Sequence, residues 1–193
     1  MNGHTVLAII GGIVQILSAV PYIRDMLWGQ TRPNNISWSL WTVLQSIALA
    51  AQLSAGFSWS VLLLVAMTFN TAIVAVLGAM GYGYKQYGAL DYICGAIGAA
   101  AIVLWLLTGQ PLVALILSVL ADFIIAIPTV VKAVRDPHSE TLLAWFLVAI
   151  ASALTLLSIT AVTPSNLLYP SYLFLITASM TGIIFFGQRF KKA

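Results

Sequence analysis

Residues 15–41, QILSAVPYIRDMLWGQTRPNNISWSLW, return in altered form as residues 122–148, DFIIAIPTVVKAVRDPHSETLLAWFLV. Adding 107 to the number of a residue in the first stretch gives its mate in the second, with no gap. In both stretches an apolar run carries one polar residue and then a proline. A short loop with basic residues follows, and then a second apolar run with tryptophan near its start. Two copies of one unit predict a pseudo-symmetric pair that shares a site. The rare residues that coincide are Gln15 with Asp122, Pro21 with Pro128, and Trp38 with Trp145.

The composition is that of a membrane protein. Of the 193 residues, 61% are hydrophobic and only 7% are charged, whereas an ordinary soluble domain has about 25% charged residues. Such a chain needs lipid as its solvent. The net charge of +3 is too small to predict nucleic-acid binding, and the single cysteine, Cys94, excludes an internal disulfide. We expect no cleavable signal peptide, because residues 1–4 lack a basic n-region.

Seven apolar segments are long enough to span a bilayer as helices. They predict an all-α integral membrane protein in which two parallel three-helix repeats are joined by a linker helix, an arrangement written 3+1+3. The corresponding divisions are 1–87 for the first repeat, 88–110 for the linker and 111–193 for the second repeat with its basic tail. The segments are 5–27, 36–54, 58–82, 91–108, 111–133, 141–162 and 167–187.

The basic residues predict the orientation in the membrane. All eight fall at the same side of the predicted bundle, and the loops 54–58, 109–110 and 163–166 on the other side have none. By the positive-inside rule, we expect a multi-pass protein of the cell inner membrane with a periplasmic N-terminus and a cytoplasmic C-terminus. The basic residues are Arg24, Arg32, Lys85, Lys132, Arg135, Arg189, Lys191 and Lys192.

Asp122 is the one carboxylate predicted to lie deep in the membrane, and its mate Gln15 is also polar. A carboxylate among apolar neighbours resists ionisation, so it is a candidate for proton coupling or solute binding. The alternative is a neutral acid that is hydrogen-bonded to a neighbouring helix. Pro21 and Pro128 each remove a helical hydrogen bond and are candidate hinges, although prolines are also common in membrane helices for packing alone.

Further candidate binding residues lie in the predicted second and third helices of each repeat. Trp38, Trp41 and Gln45 share one helical face, and Trp145 and Ser152 are the mates of Trp38 and Gln45. The indoles are suited to stacking on a sugar or a base, but tryptophans at helix starts are also typical of the aromatic belt.

Asn70 is the mate of Thr177 and lies in an apolar run. A buried amide of this kind either ties helices together or binds hydroxyl groups of a ligand. No metal-ligand spacing, phosphate-binding glycine loop or nucleophile elbow occurs in the sequence. We therefore expect neither a metal nor any other cofactor, and no enzymatic activity.

The architecture and the matched prolines resemble the SWEET and PQ-loop superfamily. That resemblance implies an asparagine beside the solute site on the third helix of each repeat, which Asn70 matches and Thr177 does not. It also implies first-helix prolines that permit rocking, which Pro21 and Pro128 match. The PQ dipeptide itself is replaced by Pro21-Tyr22 and by Pro128-Thr129. The stretch PYIRDMLWGQTRPN also looks similar to bacterial seven-helix membrane proteins, and bacterial nicotinamide riboside transporters share the layout.

The resemblance implies a membrane transporter that moves a small polar solute, sugar-like or nucleoside-like, by alternating access, with proton coupling as an open alternative. The competing interpretation is a sensor or an assembly protein whose polar residues serve packing only. The expected partners are the lipid bilayer and a small polar solute, and a homo-oligomer is left open.

Overall fold

A computed structural model describes residues 2–54, 61–108 and 111–190. Within these ranges the chain is helical and contains no β-strand, which confirms the all-α prediction. Seven α-helices follow the predicted segments closely. They are α1 (Gly3–Leu27), α2 (Asn35–Ser54), α3 (Val61–Leu77), α4 (Ala89–Leu107), α5 (Pro111–Arg135), α6 (Leu142–Ser158) and α7 (Pro164–Phe190).

The helix ends follow local sequence signals. Helix α1 begins where the Asn2 side chain accepts a hydrogen bond from the backbone N–H of Thr5 at 2.9 Å. Helix α3 is shorter than the predicted segment 58–82, because a five-residue π-helical turn, Gly78–Tyr82, replaces its last part. Gly81 in that turn has a φ of 108°, a conformation that favours glycine, and it directs the chain away from α3.

Several helices have the length and composition of membrane spans. Five of them, α1, α3 with its π-helical turn, α4, α5 and α7, contain apolar stretches of sufficient length. Helix α6 is apolar but has only 17 residues. Large apolar side chains also lie on the outside of the bundle, as on α1, where Ile13, Ile16 and Val20 are more than half exposed. An apolar exterior of this kind suits lipid contact and indicates a membrane-embedded protein.

Six of the helices form a ring, and α4 lies outside it. Helix α3 packs between α1 and α2, and α7 packs between α5 and α6. The ring closes through an extensive α1–α6 contact on one side and a smaller α2–α5 contact on the other. The main apolar cluster occupies the α2, α5 and α7 side, with Leu44, Ile125 and Ile184 almost completely buried.

Helix α4 packs mainly against α5 and, to a lesser extent, against α2. Glycines allow this close approach, because a Cβ atom at Gly98 would lie only 2.6 Å from Ile125 Cγ1. The start of α4 is joined to the start of α2 by a hydrogen bond from the Asn34 amide to the Asp91 carboxylate. The small residues of α4 therefore serve helix packing.

Candidate functional site

A cavity of about 90 Å³ lies at the centre of the helix ring, and all six ring helices contribute to its wall. Its volume has room for several water molecules and is below the ~300–1,000 Å³ of typical ligand pockets. Eight of the nine candidate binding residues line it. They are Gln15, Trp38, Trp41, Gln45, Asn70, Asp122, Trp145 and Thr177.

Ser152 is the candidate that does not line this cavity. Its hydroxyl is buried and donates to the carbonyl oxygen of Val148 at 2.8 Å, one turn back on α6. The short serine side chain is satisfied by its own helix, whereas its longer mate Gln45 reaches the cavity wall. Gln45 and Ser152 are therefore both polar, but only Gln45 contributes to the cavity wall.

Several polar side chains on the cavity wall are hydrogen-bonded to neighbouring helices. The Asn70 amide donates to the backbone oxygen of Gln15 at 2.6 Å, which joins α3 to α1. The Thr71 hydroxyl donates to Gln45 Oε1 at 3.0 Å, which joins α3 to α2. Thr177 donates to the Leu173 carbonyl oxygen within α7. These bonds fix the shape of the wall, and the amides of Asn70 and Gln45 each keep further donor or acceptor groups.

Four buried polar atoms on the same wall have no hydrogen-bond partner among the described residues. They are Gln15 Oε1, Trp38 Nε1, Trp41 Nε1 and Thr129 Oγ1. Each indole N–H approaches an oxygen, that of Trp38 the Tyr22 hydroxyl and that of Trp41 the Asp122 carboxylate, without reaching the geometry of a hydrogen bond. Buried polar atoms without partners are costly, so this group is suited to a bound polar molecule or to water.

Asp122 lines the cavity and is held from the other side by two tyrosines of α7. Its Oδ2 accepts a hydrogen bond from the Tyr172 hydroxyl at 2.7 Å, and Oδ1 accepts a longer one from Tyr169 at 3.4 Å. The carboxylate is almost fully buried, with 4% exposure. Two phenol donors stabilise the ionised form, and the buried surroundings disfavour it. The Asp122 carboxylate therefore lies between the two tyrosines of α7 and the cavity.

Aromatic rings cover the part of the cavity near the α1–α2 and α5–α6 loops. Tyr22 packs on Trp38 with ring centroids 4.9 Å apart, and Trp38 meets Trp41 edge to face at 5.5 Å. Trp145 of α6 also lines the cavity, and its Nε1 donates to Glu140 Oε2 at 2.9 Å. Trp145 is 9% exposed, so it contacts protein rather than the lipid interface that an aromatic-belt residue would occupy.

A buried ion pair lies beyond these rings, and we refer to Tyr22, Lys132, Glu140 and Trp145 as the Glu140 cluster. Lys132 Nζ lies 2.6 Å from Glu140 Oε1. Glu140 Oε2 accepts from both Trp145 and the Tyr22 hydroxyl, the latter at 3.1 Å. Lys132, which the sequence analysis counted among the basic residues at one side of the bundle, is therefore a buried residue in the last turn of α5.

The Glu140 cluster and its surroundings join the first half of the chain to the second. Lys132 Nζ also donates to the Arg32 carbonyl oxygen at 2.6 Å, and the Arg32 N–H donates to the Ser139 carbonyl at 3.0 Å. Thr141 donates to Asp25 Oδ2 at 3.0 Å. Every one of these bonds connects the α1–α2 region with the α5–α6 region. The cavity is thereby closed at the end that faces these loops.

The two candidate hinge prolines lie inside continuous helices. Pro21 is in α1 and Pro128 is in α5, and both are buried. Each precedes a cavity residue, Tyr22 and Thr129 respectively. Their role as hinges stays a prediction.

Sequence reasoning missed three groups of functional interest, namely Tyr22 with the Lys132–Glu140 pair, the tyrosines Tyr169 and Tyr172, and Thr129. One signal was available for the ion pair. Lys132 and Glu140 are opposite charges that flank a short loop in a chain with few charges. Asp25 and Lys132 are also repeat mates, so each first helix carries an ionisable residue at the same position.

Among residues 2–54, 61–108 and 111–190, no group of three or more His, Cys, Asp or Glu side chains has the arrangement of a metal site. No family model, curated protein or solved structure matches the chain.

Proposed function

We propose that this protein is a SWEET-like membrane transporter that moves a small polar solute through the central cavity by alternating access. The observation that carries the proposal is a cavity at the centre of six helices with unpartnered buried polar atoms on its wall. A helix bundle that served packing alone would have no need for such a space, because its interior polar groups would be paired. No enzymatic step is part of the proposal.

The packing order supports two parallel repeats. In the first half the order is α1–α3–α2, and in the second it is α5–α7–α6, so α3 and α7 occupy the same place. A two-fold axis along the membrane normal would place α1 on α5 and α2 on α6. It would therefore turn the α1–α6 contact into the α2–α5 contact, and both contacts are present. Helix α4 then supplies the odd crossing that gives both halves the same orientation.

The Glu140 cluster supports a conformation that is closed on one side. The positive-inside rule assigns the loops around it to the cytoplasm, and the inner membrane is the corresponding location. The Tyr22–Glu140 bond and the bond from Lys132 to the Arg32 carbonyl oxygen join the two halves, so they must break when the halves separate at that end. We therefore assign the conformation to a cytoplasm-closed state of the transport cycle.

The experiment that tests the function is a thermal-shift screen of the purified protein against sugars, nucleosides and amino acids, followed by uptake of any ligand into proteoliposomes. A ligand that binds the folded protein raises its melting temperature by mass action. The matched variants are Ala19→Phe, which fills the cavity, and Ala100→Phe, which lies on the exposed surface of α4.

We expect Ala19→Phe to abolish both the shift and the uptake, and Ala100→Phe to retain them. Absence of any ligand, or ligand binding that Ala19→Phe leaves intact, would instead favour a sensor or an assembly protein.

A further inference from the structure

The surface that the wall presents to the cavity is mostly apolar. The Asn70, Gln45 and Thr177 side chains each spend at least one hydrogen-bonding group on a neighbouring residue. Four further polar atoms on the wall are buried without a partner among the described residues, and two of them are the indole N–H groups of Trp38 and Trp41. A hexose carries a hydroxyl group on nearly every carbon, and each hydroxyl that is buried against an apolar wall without a partner weakens binding.

Four aromatic rings also line the cavity. Tyr22 and Trp38 are inclined by 41° with ring centroids 4.9 Å apart, Trp38 and Trp41 are inclined by 85° at 5.5 Å, and Trp145 lines the same cavity. Aromatic faces favour planar rings by stacking and attract cations by their quadrupole. The aromatic rings and the mostly apolar wall therefore both favour a planar ring as the solute.

The charge of the wall is negative or zero. Among the described residues that line the cavity, Asp122 is the only one with a charged side chain. The nearby cation Lys132 is held by Glu140 at 2.6 Å, so it is not available to a ligand. An anion would enter a buried space with a carboxylate and no free cation, which is unfavourable at low effective dielectric.

We infer that the cavity selects a compact planar ring solute with few hydrogen-bonding groups, either uncharged or with one positive charge, in preference to sugars and to anions. This inference rests on the proposed function and specifies its solute. Asp122 binds the positive group, the indole N–H groups of Trp38 and Trp41 donate to an acceptor of the solute, and Gln15 Oε1 accepts from a donor.

Three probes with nearly the same shape and different charges distinguish the effect of charge on binding from the effect of shape. Benzamidine, benzamide and benzoate share one planar ring and carry a positive charge, no charge and a negative charge, and glucose represents a polyol. The measurement is the melting temperature of the purified full-length protein as a function of probe concentration. We expect benzamidine to bind at least about tenfold more tightly than benzoate, with benzamide between them and glucose without effect.

Two variants assign the selectivity to the wall. Asp122→Asn is expected to remove the advantage of benzamidine over benzamide, whereas Asp136→Asn, which changes an exposed loop carboxylate, keeps it. Trp41→Phe retains an aromatic face but loses the N–H group, so it should weaken benzamide binding. The order of the four probes on the unsubstituted protein needs no variant, and it tests the inference even if Asp122→Asn does not fold.

The inference is overturned if benzoate or glucose stabilises the protein as much as benzamidine does, or if none of the three ring probes stabilises it. In either case the proposed function still stands when another solute of the screen binds and Ala19→Phe abolishes that binding. The proposed function fails separately, when no solute of any class depends on the cavity.

Discussion

The side-chain nitrogen of Lys132 lies 2.6 Å from Glu140 Oε1, and the two side chains are 4% and 0% exposed. Water is excluded from this pair, so each charge depends on the other and on its hydrogen bonds. Glu140 receives two of those bonds from Tyr22 and Trp145, which also form part of the cavity wall. The side chains of Tyr22 and Trp145 therefore connect the ion pair to the cavity wall.

The first prediction concerns the stability of this pair. Glu140→Gln should lower the free energy of unfolding by about 3–5 kcal/mol, because removal of one partner leaves a buried charge uncompensated. The double variant Lys132→Met with Glu140→Gln should recover most of that loss. The measurement is denaturant-induced unfolding in detergent micelles.

An exposed ion pair provides the control for the first prediction. Arg24 lies 2.7 Å from Asp25, but its side chain is 52% exposed. Arg24→Gln should therefore change the unfolding free energy by no more than about 1 kcal/mol. Equal effects of Arg24→Gln and Glu140→Gln would contradict the description of Lys132–Glu140 as a buried pair.

The second prediction concerns access to the cavity. Tyr22→Phe removes one hydrogen bond to the Glu140 carboxylate and keeps the ring that packs on Trp38. Hydrogen bonds to charged groups contribute about 1.5–3 kcal/mol, so the open population should rise by about tenfold or more. Ser18 of α1 lines the cavity. The measurement is the rate at which a maleimide labels Ser18→Cys from the side of the α1–α2 loop.

Cys94 is replaced by alanine in these experiments so that only the introduced thiol reacts. Tyr92→Phe is the control, because Tyr92 is exposed on α4 and does not belong to the Glu140 cluster. Labelling rates that Tyr22→Phe leaves unchanged would show that the cluster does not limit access.

The third prediction concerns Asp122. Asp122→Asn should abolish accumulation of solute driven by a proton gradient, because an amide does not release a proton in the transport cycle. The amide keeps the size of the side chain and one acceptor oxygen, and a tyrosine hydroxyl of α7 can accept from its NH2 group, so the fold and passive exchange should persist. Uptake into proteoliposomes with and without a pH gradient measures both quantities, and Asp136→Asn is the matched control. Accumulation by Asp122→Asn equal to that of the unsubstituted protein at every pH would leave the acid with a structural role only.

The fourth prediction concerns orientation. Cysteine in place of Asp136, in the α5–α6 loop, should react with an impermeant reagent from the cytoplasmic side only. Cysteine in place of Val162, which is 79% exposed between α6 and α7, should react from the periplasmic side only. We expect this orientation from the positive-inside rule, because basic residues lie near the α5–α6 loop. Labelling of the Asp136 position from the periplasm would reverse the orientation.

Much of the fold was predictable because lipid imposes a simple pattern. Solid apolar runs that are separated by Gly, Pro, Asn and Ser indicate helices, and their ends agree with the structure to within a few residues. The predicted end at residue 82 agrees with the apolar span Leu62–Tyr82, but the π-helical turn that begins at Gly78 was not predicted, because the run through Gly78 and Met80 stays apolar. Hydropathy does not report backbone geometry.

The cavity was partly predictable for a related reason. A residue such as Gln15 or Asp122 is rare in an apolar helix and tends to face the protein interior. The partners of Asp122 were missed because the rotation of α7 about its axis decides that Tyr169 and Tyr172 face α5. The Lys132–Glu140 pair was missed because a charge beside a loop is normally solvated, and only the three-dimensional course of the loop buries it.

The two contacts that close the helix ring differ in extent. The α1–α6 contact is broad, whereas the α2–α5 contact is narrow and is reinforced from outside the ring by α4, which packs on α5 and, to a lesser extent, on α2. Helix α4 is also attached to the first half by the Asn34–Asp91 hydrogen bond and by the close fit of Gly95 against Ile36. Separation of the halves along the narrow contact would have to break either this attachment or the packing of α4 on α5. The two halves of the ring are therefore joined by unequal contacts, and the seventh helix is a brace across the smaller of them.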